Sequence, residues 1–531
     1  MSTPALPVVD ATSLRSWHTL SRLASELLPQ SLPELCARPA RFQDMSFRSG
    51  ALLLDISKQR MNAAVISAFE QLTNDAGVPA RRAALFMDNQ LYATEGRAVL
   101  HTALRADSKD QPERVRDEIQ ATLQRMQALT EDVRSGHWRG FTGKTIDAVV
   151  HIGIGGSWLG PELIIDALAD RYLRGPQVFF LANIDGTELT RLLPQLNPER
   201  TLFIVASKSF STIETLINAQ SLRGWMLERG AAHADLARHF IAVSSNIKAA
   251  VEFGIGENNI LPMWDWVGGR YSIWSAIGLV VALRYGWEAF TELLAGARQT
   301  DEHFRTAPAQ RNLPLLLGCC ELWNLHFLGA DSHVVLAYDH RLKKLPAYLQ
   351  QLEMESNGKR VRSDGERVGA HTAPITWGGE GTNGQHSFHQ LLHQGTRAGS
   401  IEFLLTVQPP HNRANHQRWL AANALAQGEA LLTGKRDADS QREVIGGRGS
   451  STIVIDALTP ESLGALLALY EHKVFVQGVV WGINSFDQFG VELGKQLAVS
   501  IEKEIADGRT QGRHDASTSG LIDHLRKHLP N

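Results

Sequence analysis

Two tracts of alternating strand-like and helix-like sequence constrain the fold of this 531-residue chain more than any other feature. In the first tract, strands are predicted at 149–154, 178–182, 202–206 and 241–243. The helical patterns between them lie at 161–173, 187–196 and 213–227. In the second tract, strands are predicted at 333–338, 401–407 and 452–455. Strands that alternate with helices form βαβ units in a parallel sheet. The sequence therefore predicts two α/β domains with mainly parallel sheets, joined through helices around 273–327.

The segments outside these tracts have mostly helical patterns. Residues 1–115 are predicted to be largely helical, apart from a strand-like stretch at 83–87, and the sequence after about 460 is again mostly helical. We therefore expect a helical N-terminal segment over 1–115 that packs on the larger domain. A first α/β domain is expected over 116–290, and a second over 291–531 that includes the C-terminal helices.

Composition excludes several classes of partner and location. A net charge of −3 gives no basic surface for nucleic acid or an anionic membrane. The three cysteines, Cys36, Cys319 and Cys320, are too few for a disulfide framework and indicate buried thiols in a reducing compartment. No signal peptide pattern is visible at the N-terminus, and the apolar run at 273–283 is too short to span a bilayer. We expect a cytoplasmic protein.

A six-residue polar segment follows the strand predicted at 202–206. Residues 207–212 read Ser-Lys-Ser-Phe-Ser-Thr and lie directly before a predicted helix. A helix N-terminus attracts anions because its first N–H groups lack partners and its dipole is positive there. The alternative is plain helix capping, since Ser211 and Glu214 have the spacing of a capping box. The residues expected to hold a small phosphate are Ser207, Lys208, Ser209, Ser211 and Thr212.

A glycine-rich turn, HIGIGGSWLG at 151–160, follows the first predicted strand. Glycines permit a tight turn and let backbone N–H groups approach an anion. A dinucleotide-binding fingerprint would need glycine at Trp158, and the Gly-Lys-Ser/Thr end of a P-loop is absent, so neither nucleotide motif fits. The turn favours contacts of Gly156 and Ser157 with a small sugar or phosphate. A purely structural turn is the alternative.

Five longer segments carry a family resemblance. They are TEGRAVLH (94–101), DWVGGRYSIW (265–274), MESNGK (354–359), GTNGQH (381–386) and NSFDQFGVELGKQ (484–496). In this order they closely resemble the glucose-6-phosphate isomerase family, from about residue 90 to about residue 500. The resemblance implies two sugar-isomerase (SIS) domains of the doubly wound, flavodoxin-like type. It also implies reversible isomerisation of D-glucose 6-phosphate and D-fructose 6-phosphate through ring opening and a cis-enediol intermediate, without metal or organic cofactor. The family further suggests a homodimer with shared active sites.

The resemblance assigns the chemistry to four residues. Glu355 is expected to move the proton between the two substrate carbons. Arg270 is expected to stabilise the negative oxygen of the intermediate, a role that suits a permanently charged guanidinium. His386 and Lys495 are expected to open the sugar ring, and histidine can exchange a proton near neutral pH.

Two glutamines are expected to bind the substrate. Gln351 lies one helical turn before Glu355, in a helix predicted to end at 357–358. Gln488 lies seven residues before Lys495, on the same face of a predicted helix.

Simpler interpretations stay open for these side chains. Glu355 fits a solvated surface pair and Arg270 a structural ion pair. Lys495 has Glu492 three residues before it, the spacing of a local ion pair on a helix.

A metal site is the competing interpretation of three histidines. His386, His389 and His393 could place imidazoles on one helical face. No matching acidic or cysteine ligands are evident in the sequence, so we predict no metal.

The chain departs from the family pattern at few positions. Trp158 stands where aspartate is more common, and Ser209 and Ser211 stand where threonines are common. The competing functions are another SIS-type enzyme acting on amino-sugar phosphates and a sugar-phosphate-binding regulator. The amino-sugar enzyme has no sequence support, because this chain lacks the N-terminal cysteine that hydrolyses glutamine: residue 2 is Ser2. The second would not need Glu355 and Arg270.

Overall fold

The computed structural model describes residues 7–87, 91–92, 94, 96–172, 174–507 and 514–529. The chain divides into two compact units, Met1–Ser485 and Phe486–Asn531. The first unit contains two large sheets and their helices. The second contains two helices that pack on each other.

The strands of the first unit form two large sheets and one short ribbon. They are β1 (Ser46–Ser49), β2 (Leu52–Asp55), β3 (Leu91–Tyr92), β4 (Arg97–Ala98), β5 (Ala148–Ile152), β6 (Gln177–Leu181), β7 (Thr201–Ala206), β8 (Phe240–Ser244), β9 (Ile260–Pro262), β10 (Ala330–Tyr338), β11 (Ile375–Glu380), β12 (Ala398–Gln408) and β13 (Ser450–Ala457).

The first sheet is entirely parallel. Its strands lie in the order β6-β5-β7-β8-β9. Every residue of β5, β7 and β8 is buried, as expected for parallel strands covered on both faces. Numbered along the chain this order is 2-1-3-4-5, the flavodoxin-like arrangement, and its direction reverses between β5 and β7.

The second sheet has the order β1-β2-β13-β12-β10-β11. Its parallel part, β11-β10-β12-β13, repeats the 2-1-3-4 arrangement of the first sheet. β13 then pairs antiparallel with β2, and β2 with β1. The N-terminal part of the chain therefore completes the second sheet.

The α-helices lie between and around these strands. They are α1 (Arg15–Leu27), α2 (Leu32–Cys36), α3 (Arg41–Asp44), α4 (Ala63–Asp75), α5 (Val78–Leu85), α6 (Glu113–Ser135), α7 (Leu159–Ala167), α8 (Gly186–Leu192), α9 (Ile213–Glu228), α10 (Ile247–Phe253), α11 (Leu279–Tyr285), α12 (Trp287–Thr306), α13 (Leu313–Phe327), α14 (Leu345–Gln350), α15 (Gly381–Gln385), α16 (His389–Gln394), α17 (Ala414–Thr433), α18 (Pro460–Val480), α19 (Glu492–Asp507) and α20 (Ala516–His528).

The central helix of the first unit is α18, which packs against α12 and α13. It is long and apolar enough to cross a membrane, but the whole of that stretch is buried inside the protein. Its apolar character therefore matches a core helix.

Each strand and helix predicted in the two alternating tracts is present. The helix predicted at 161–173 ends earlier, at Ala167, and residue 173 lies outside the described residues, as does Glu95 of the 94–101 segment. Both positions are therefore left as predictions. The mainly parallel α/β fold predicted from the sequence is confirmed.

Two predictions for the N-terminal part were wrong or incomplete. The strand predicted at 83–87 is wrong, because residues up to Leu85 belong to helix α5, which starts after a left-handed Gly77. A five-residue apolar run cannot separate strand from helix by its period. The largely helical pattern of 1–115 also concealed β1 and β2. These strands are four residues each, too short to show a clear alternation.

Candidate active site

The glycine-rich turn and the loop at 207–212 begin side by side at one edge of the first sheet. β5 pairs in parallel with β7, with Ile152 beside Val205. The turn follows β5 and the loop follows β7. The strand order reverses between these strands, and α/β sheets bind ligands in the crevice at such a point.

The loop at 207–212 presents its hydroxyls in two pairs. The Ser207 hydroxyl donates to Thr212 Oγ1 at 3.2 Å, and the Ser211 hydroxyl donates to Ser209 Oγ at 2.6 Å. Phe210 is buried and has a φ of 50°, a left-handed conformation that non-glycine residues rarely adopt. The buried ring therefore anchors a strained loop whose hydroxyls lie beside the start of α9.

The capping box named as the alternative for this loop is not formed. α9 begins at Ile213 with Thr212 at its N-cap, and among the described residues no side chain caps its first turn. The hydroxyls bond one another, which leaves the helix start without a side-chain acceptor. Capping therefore does not explain why the loop carries four hydroxyl residues.

Lys208 connects the loop to the next part of the site. Its ammonium donates to the carbonyl oxygens of Asp265 at 2.9 Å and Val267 at 3.2 Å. The Lys208 carbonyl oxygen accepts from the backbone N–H of Ser245 at 2.8 Å. The lysine thus ties the loop to the segment that leads to Arg270.

Gly156 is packed tightly against the segment that carries Arg270. A Cβ built on Gly156 would lie 2.1 Å from the carbonyl of Gly269 and 2.5 Å from the backbone nitrogen of Arg270. Any side chain at 156 would therefore push the two segments apart. Ser157 is buried beside this contact, and its carbonyl oxygen accepts from His151 Nε2 at 2.7 Å. Burial lowers the pKa of His151 to about 4, so a neutral imidazole supports the turn.

Arg270 is buried, and its guanidinium is fixed by two strong hydrogen bonds. Its Nε donates to Ser356 Oγ at 2.6 Å, and its Nη2 donates to the carbonyl oxygen of Ser485 at 2.6 Å. Tyr271 Oη lies 2.9 Å from the same Ser356 oxygen. Sequence reasoning missed these partners, although Ser356 and Ser485 lie inside two of the segments that carry the family resemblance.

Glu355 faces this guanidinium. Its Oε2 lies 3.7 Å from Arg270 Nη1, and that oxygen is buried without a hydrogen-bond partner among the described residues. The Glu355 side chain as a whole is 24% exposed, so the carboxylate can meet a ligand while one of its oxygens faces a fixed cation. Of the simpler interpretations, the solvated surface pair does not fit, because the Arg270 side chain is only 1% exposed.

The helix that carries Glu355 is wider than an α-helix at this point. After α14, residues Gln351–Glu355 form one π-helical turn, and the helix then ends at Asn357. The predicted stop before Gly358 is therefore confirmed. Gln351 Nε2 lies 3.1 Å from the position that a Cβ on Gly155 would occupy, so Gln351 reaches the glycine-rich turn. π-Turns occur frequently at functional sites.

The three histidines do not form a cluster. His386 is exposed at the end of α15. His389 Nδ1 and His393 Nε2 instead share one partner, the Gln427 side-chain oxygen, at 3.0 Å and 2.8 Å. These two imidazoles are thus used in packing α16 against α17.

The second unit carries Gln488 and Lys495. Gln488 precedes α19, which begins at Glu492, so the prediction that it shares a helical face with Lys495 is wrong. A short 3₁₀ turn separates the two residues. Lys495 Nζ lies 2.9 Å from Glu492 Oε1, which is the local ion pair named as its alternative.

The first unit brings several of the predicted site residues together. Gly156, Arg270, Glu355 and Gln351 are linked by the close approaches described above, and Lys208 ties the hydroxyl loop to the same segment. The arrangement places one carboxylate beside one fixed cation. A carboxylate in this position can take a proton from carbon while the cation stabilises the negative charge that develops on oxygen.

Comparison with known proteins identifies the family of the chain. A sequence model of the family "phosphoglucose isomerase" matches residues 55–522. The glucose-6-phosphate isomerase of Burkholderia pseudomallei is 48% identical over 97% of this chain and 99% of its own length. That of Hahella chejuensis is 45% identical over 96% of both chains. A glucose-6-phosphate isomerase from Chlamydia trachomatis of known crystal structure is 30% identical in sequence and superposes with a TM-score of 0.87. The match covers 98% of this chain and 100% of the other. The chain belongs to the phosphoglucose isomerase family.

Proposed function

We propose that this chain is an enzyme that interconverts D-glucose 6-phosphate and D-fructose 6-phosphate, a step of glycolysis and gluconeogenesis. Family membership over most of the chain supports the activity. The single observation that carries the mechanism is the Glu355 carboxylate oxygen that makes no hydrogen bond among the described residues and lies 3.7 Å from the Arg270 guanidinium. The sugar-phosphate-binding regulator has no such support, because it has no need of this pair.

Glu355 is the base that moves the proton between the two substrate carbons. The carboxylate removes the proton next to the carbonyl and returns it to the neighbouring carbon, through a cis-enediol intermediate. Arg270 stabilises the oxygen that becomes negative in that intermediate. Its two fixed hydrogen bonds mean that no reorganisation is needed when the charge develops.

The phosphate is held by the loop at 207–212 and the start of α9. Hydroxyl donors and the positive helix end suit a phosphate dianion. Gly156, Ser157 and Gln351 complete the substrate contacts on this side, since Gln351 reaches the glycine-rich turn. Gln488 is assigned to substrate binding by the family resemblance.

Ring opening is assigned to His386 and Lys495, and the enzyme is a cytoplasmic homodimer with shared sites. The supporting observation is the exposed position of His386 at the end of α15, which is compatible with a role in a neighbouring chain. An isologous dimer can draw residues of one pocket from both partners. The same family pattern supports SIS domains over 116–290 and 291–531, with the 1–115 segment packed on the larger one. It also supports catalysis with a sugar phosphate alone, without a metal or an organic cofactor.

The activity is tested with the purified chain in a coupled assay. Fructose 6-phosphate is supplied, and glucose 6-phosphate is detected through glucose-6-phosphate dehydrogenase. Sustained turnover is expected. Binding of sugar phosphates without turnover would contradict the proposal and favour a regulator.

The shared site is tested by mixing two inactive variants, Glu355→Gln and His386→Ala, which are unfolded and refolded together. If His386 serves the partner's site, each heterodimer contains one intact site, so activity returns. A heterodimer confirmed with two distinguishable tags but without activity would reject the shared site and leave the isomerase assignment in place.

A further inference from the structure

A group of charged side chains is buried directly behind the turn that carries Glu355. We call it the buried charge network, and every member is at most 2% exposed. Its members are Glu321 on α13, His333 on β10, Glu353 on the π-helical turn, Glu402 on β12, and Tyr470 and Lys473 on α18. Such groups are costly to bury, and the mechanism proposed above uses none of them.

Glu353 is the point at which the network holds the π-helical turn. Its Oε2 accepts from the hydroxyl of Thr376 at 2.7 Å and lies 3.2 Å from His333 Nδ1. Its Oε1 lies 3.2 Å from Lys473 Nζ. One carboxylate therefore connects the turn to β10, β11 and α18, three elements of the second sheet and the core.

The charges of the network nearly balance. Burial alone lowers the pKa of His333, but the negative charge of Glu321 and the hydrogen bonds of Glu353 and Glu402 raise it to about 10. Burial favours the neutral form of Glu353, yet Lys473 and His333 hold its pKa below the usual range. Burial and the charge of Glu353 raise the pKa of Glu321 to about 7. The two cations therefore face three carboxylates, and of these Glu321 is the one whose pKa is raised toward the neutral form.

Lys473 bears on whether the buried charge network could hold a metal ion. The ligand atoms of Glu321, His333 and Glu353 lie within 4.8 Å of one another, a spacing that could hold a metal ion. The Lys473 ammonium, however, makes ion pairs with both Glu321 and Glu353. It supplies the positive charge that a metal would otherwise bring.

Glu353 and Glu355 project from different faces of the same turn. They are two residues apart, a spacing at which helical side chains do not face each other. Glu353 points into the network, and Glu355 faces Arg270. The contacts of Glu353 with the network set the orientation of the π-helical turn about its axis. That orientation determines where the Glu355 carboxylate lies.

We infer that the buried charge network, acting through Glu353 and Thr376, positions Glu355 for proton transfer. Glu353 and Thr376 are positioning residues in this account, because they act through the π-helical turn. The inference rests on the proposed function in one respect, that Glu355 is the base. A misplacement of about 1 Å at a reacting group can lower a rate by roughly 100-fold, so a small rotation of the turn is sufficient.

The test uses Thr376→Val, which removes one hydroxyl and preserves the shape of the side chain. The kcat for fructose 6-phosphate is expected to fall about 10- to 100-fold. The KM is expected to stay within about twofold, because the phosphate loop lies on the other sheet. The primary isotope effect with 2-deuterio-glucose 6-phosphate should rise, since proton transfer becomes slower relative to ring opening. Thr376→Ser, which keeps the hydroxyl, should restore both values.

A matched control separates positioning from loss of folded protein. Thr300→Val makes the same change at another buried threonine, whose hydroxyl donates to the carbonyl oxygen of Ala465 at 3.1 Å. A purely structural effect would lower the melting temperature in both valine variants and leave the isotope effect unchanged in both. Glu353→Gln should give a larger fall in kcat than Thr376→Val. If both variants at the network keep kcat within twofold of wild type, the inference is overturned.

A crystal structure of Thr376→Val keeps this test independent of activity. The distance from Glu355 Oε2 to Arg270 Nη1, 3.7 Å here, is expected to change, while the loop at 207–212 stays in place. An unchanged Glu355 position overturns the inference even if the chain proves to isomerise another substrate. A wild-type chain without isomerase activity, in contrast, overturns the proposed function. The position of Glu355 in the Thr376→Val crystal structure still decides whether the network positions that carboxylate.

Discussion

Replacing Arg270 with lysine separates charge from geometry at the candidate active site. The arginine is 3% exposed and makes two directed hydrogen bonds of 2.6 Å, to Ser356 Oγ and the Ser485 carbonyl oxygen. Lysine keeps the positive charge but has a single nitrogen on a flexible stem. It therefore cannot hold both partners and face Glu355 at the same time.

The expected loss follows from the role of the guanidinium. Removing one preorganised donor from a developing oxyanion costs about 2.7–4 kcal/mol, or roughly 10²–10³ in kcat. We expect a fall in kcat within that range for Arg270→Lys. The KM for fructose 6-phosphate should change less than about threefold, because the phosphate contacts lie in the loop at 207–212 and an interaction made only in the transition state lowers kcat without raising KM.

The assay is the coupled measurement of glucose 6-phosphate formation, with Arg105→Lys as the matched control. Arg105 is also buried, but its ion-pair partners are Asp301 and Glu471. That control should lower the melting temperature while the folded fraction keeps most of its kcat. A kcat for Arg270→Lys within about threefold of wild type would refute the assigned role.

Three further predictions follow from the same structure. Ser207→Ala with Thr212→Ala should weaken inhibition by 6-phosphogluconate and by inorganic phosphate about 100-fold or more, since two hydrogen bonds to a charged group are lost and each contributes about 1.5–3 kcal/mol; unchanged inhibition constants would reduce the loop to a structural turn. Prolonged chelation followed by desalting should leave activity intact, whereas activity lost and then restored by a divalent ion would support a metal. The pKa of His333 is raised from 6.5 to about 10, so its protonation contributes stability that is complete below about pH 6.5 and is lost as the pH rises through 10. The free energy of unfolding should therefore fall between these values, and His333→Gln, which lacks this group, should show a shallower fall; equal slopes would contradict the pKa.

The parallel fold could be predicted because its signals are local. β5, β7 and β8 are buried at every residue, so each appears in the sequence as an unbroken apolar run between helical patterns. β1 and β2 gave no such signal, since they are short: β1 pairs with β2, and β2 joins the sheet by pairing with β13, about 400 residues later in the chain. Long-range pairing of this kind has no counterpart in the local sequence.

Some residues of the candidate site could be predicted from the sequence, and others could be found only in the structure. Glu355 and Arg270 lie in distinctive strings whose resemblance to the family implies proton transfer, and the hydroxyls and the helix start of the loop at 207–212 already point to anion binding. The partners that fix Arg270 could not be predicted, because Ser356 and Ser485 are small polar residues that meet it only in the folded chain. The buried charge network was equally hidden. Glu321 and Lys473 lie in apolar helices, where nothing local shows that they face each other.

Residue spacing in the sequence also misled at two positions, because contacts depend on the folded backbone. Ser211 and Glu214 have the spacing of a capping box, yet Ser211 bonds Ser209 in the folded loop. Gln488 and Lys495 have helical spacing, but a 3₁₀ turn intervenes before α19. Spacing identifies what two residues can do, and the backbone path decides whether they do it.

Exchange of substrate hydrogen with solvent shows whether Glu355 carries the proton between the two substrate carbons. The wild-type chain is incubated with fructose 6-phosphate in D₂O, and deuterium at carbon 2 of the glucose 6-phosphate product is measured by NMR. We expect deuterium at that carbon for wild type, because a base that holds a proton between two carbons can exchange it with solvent. For Glu355→Gln, incorporation and turnover should fall together by about 10²–10⁴-fold, while binding of 6-phosphogluconate is retained. Incorporation and turnover near wild-type levels in a folded Glu355→Gln variant would contradict the account.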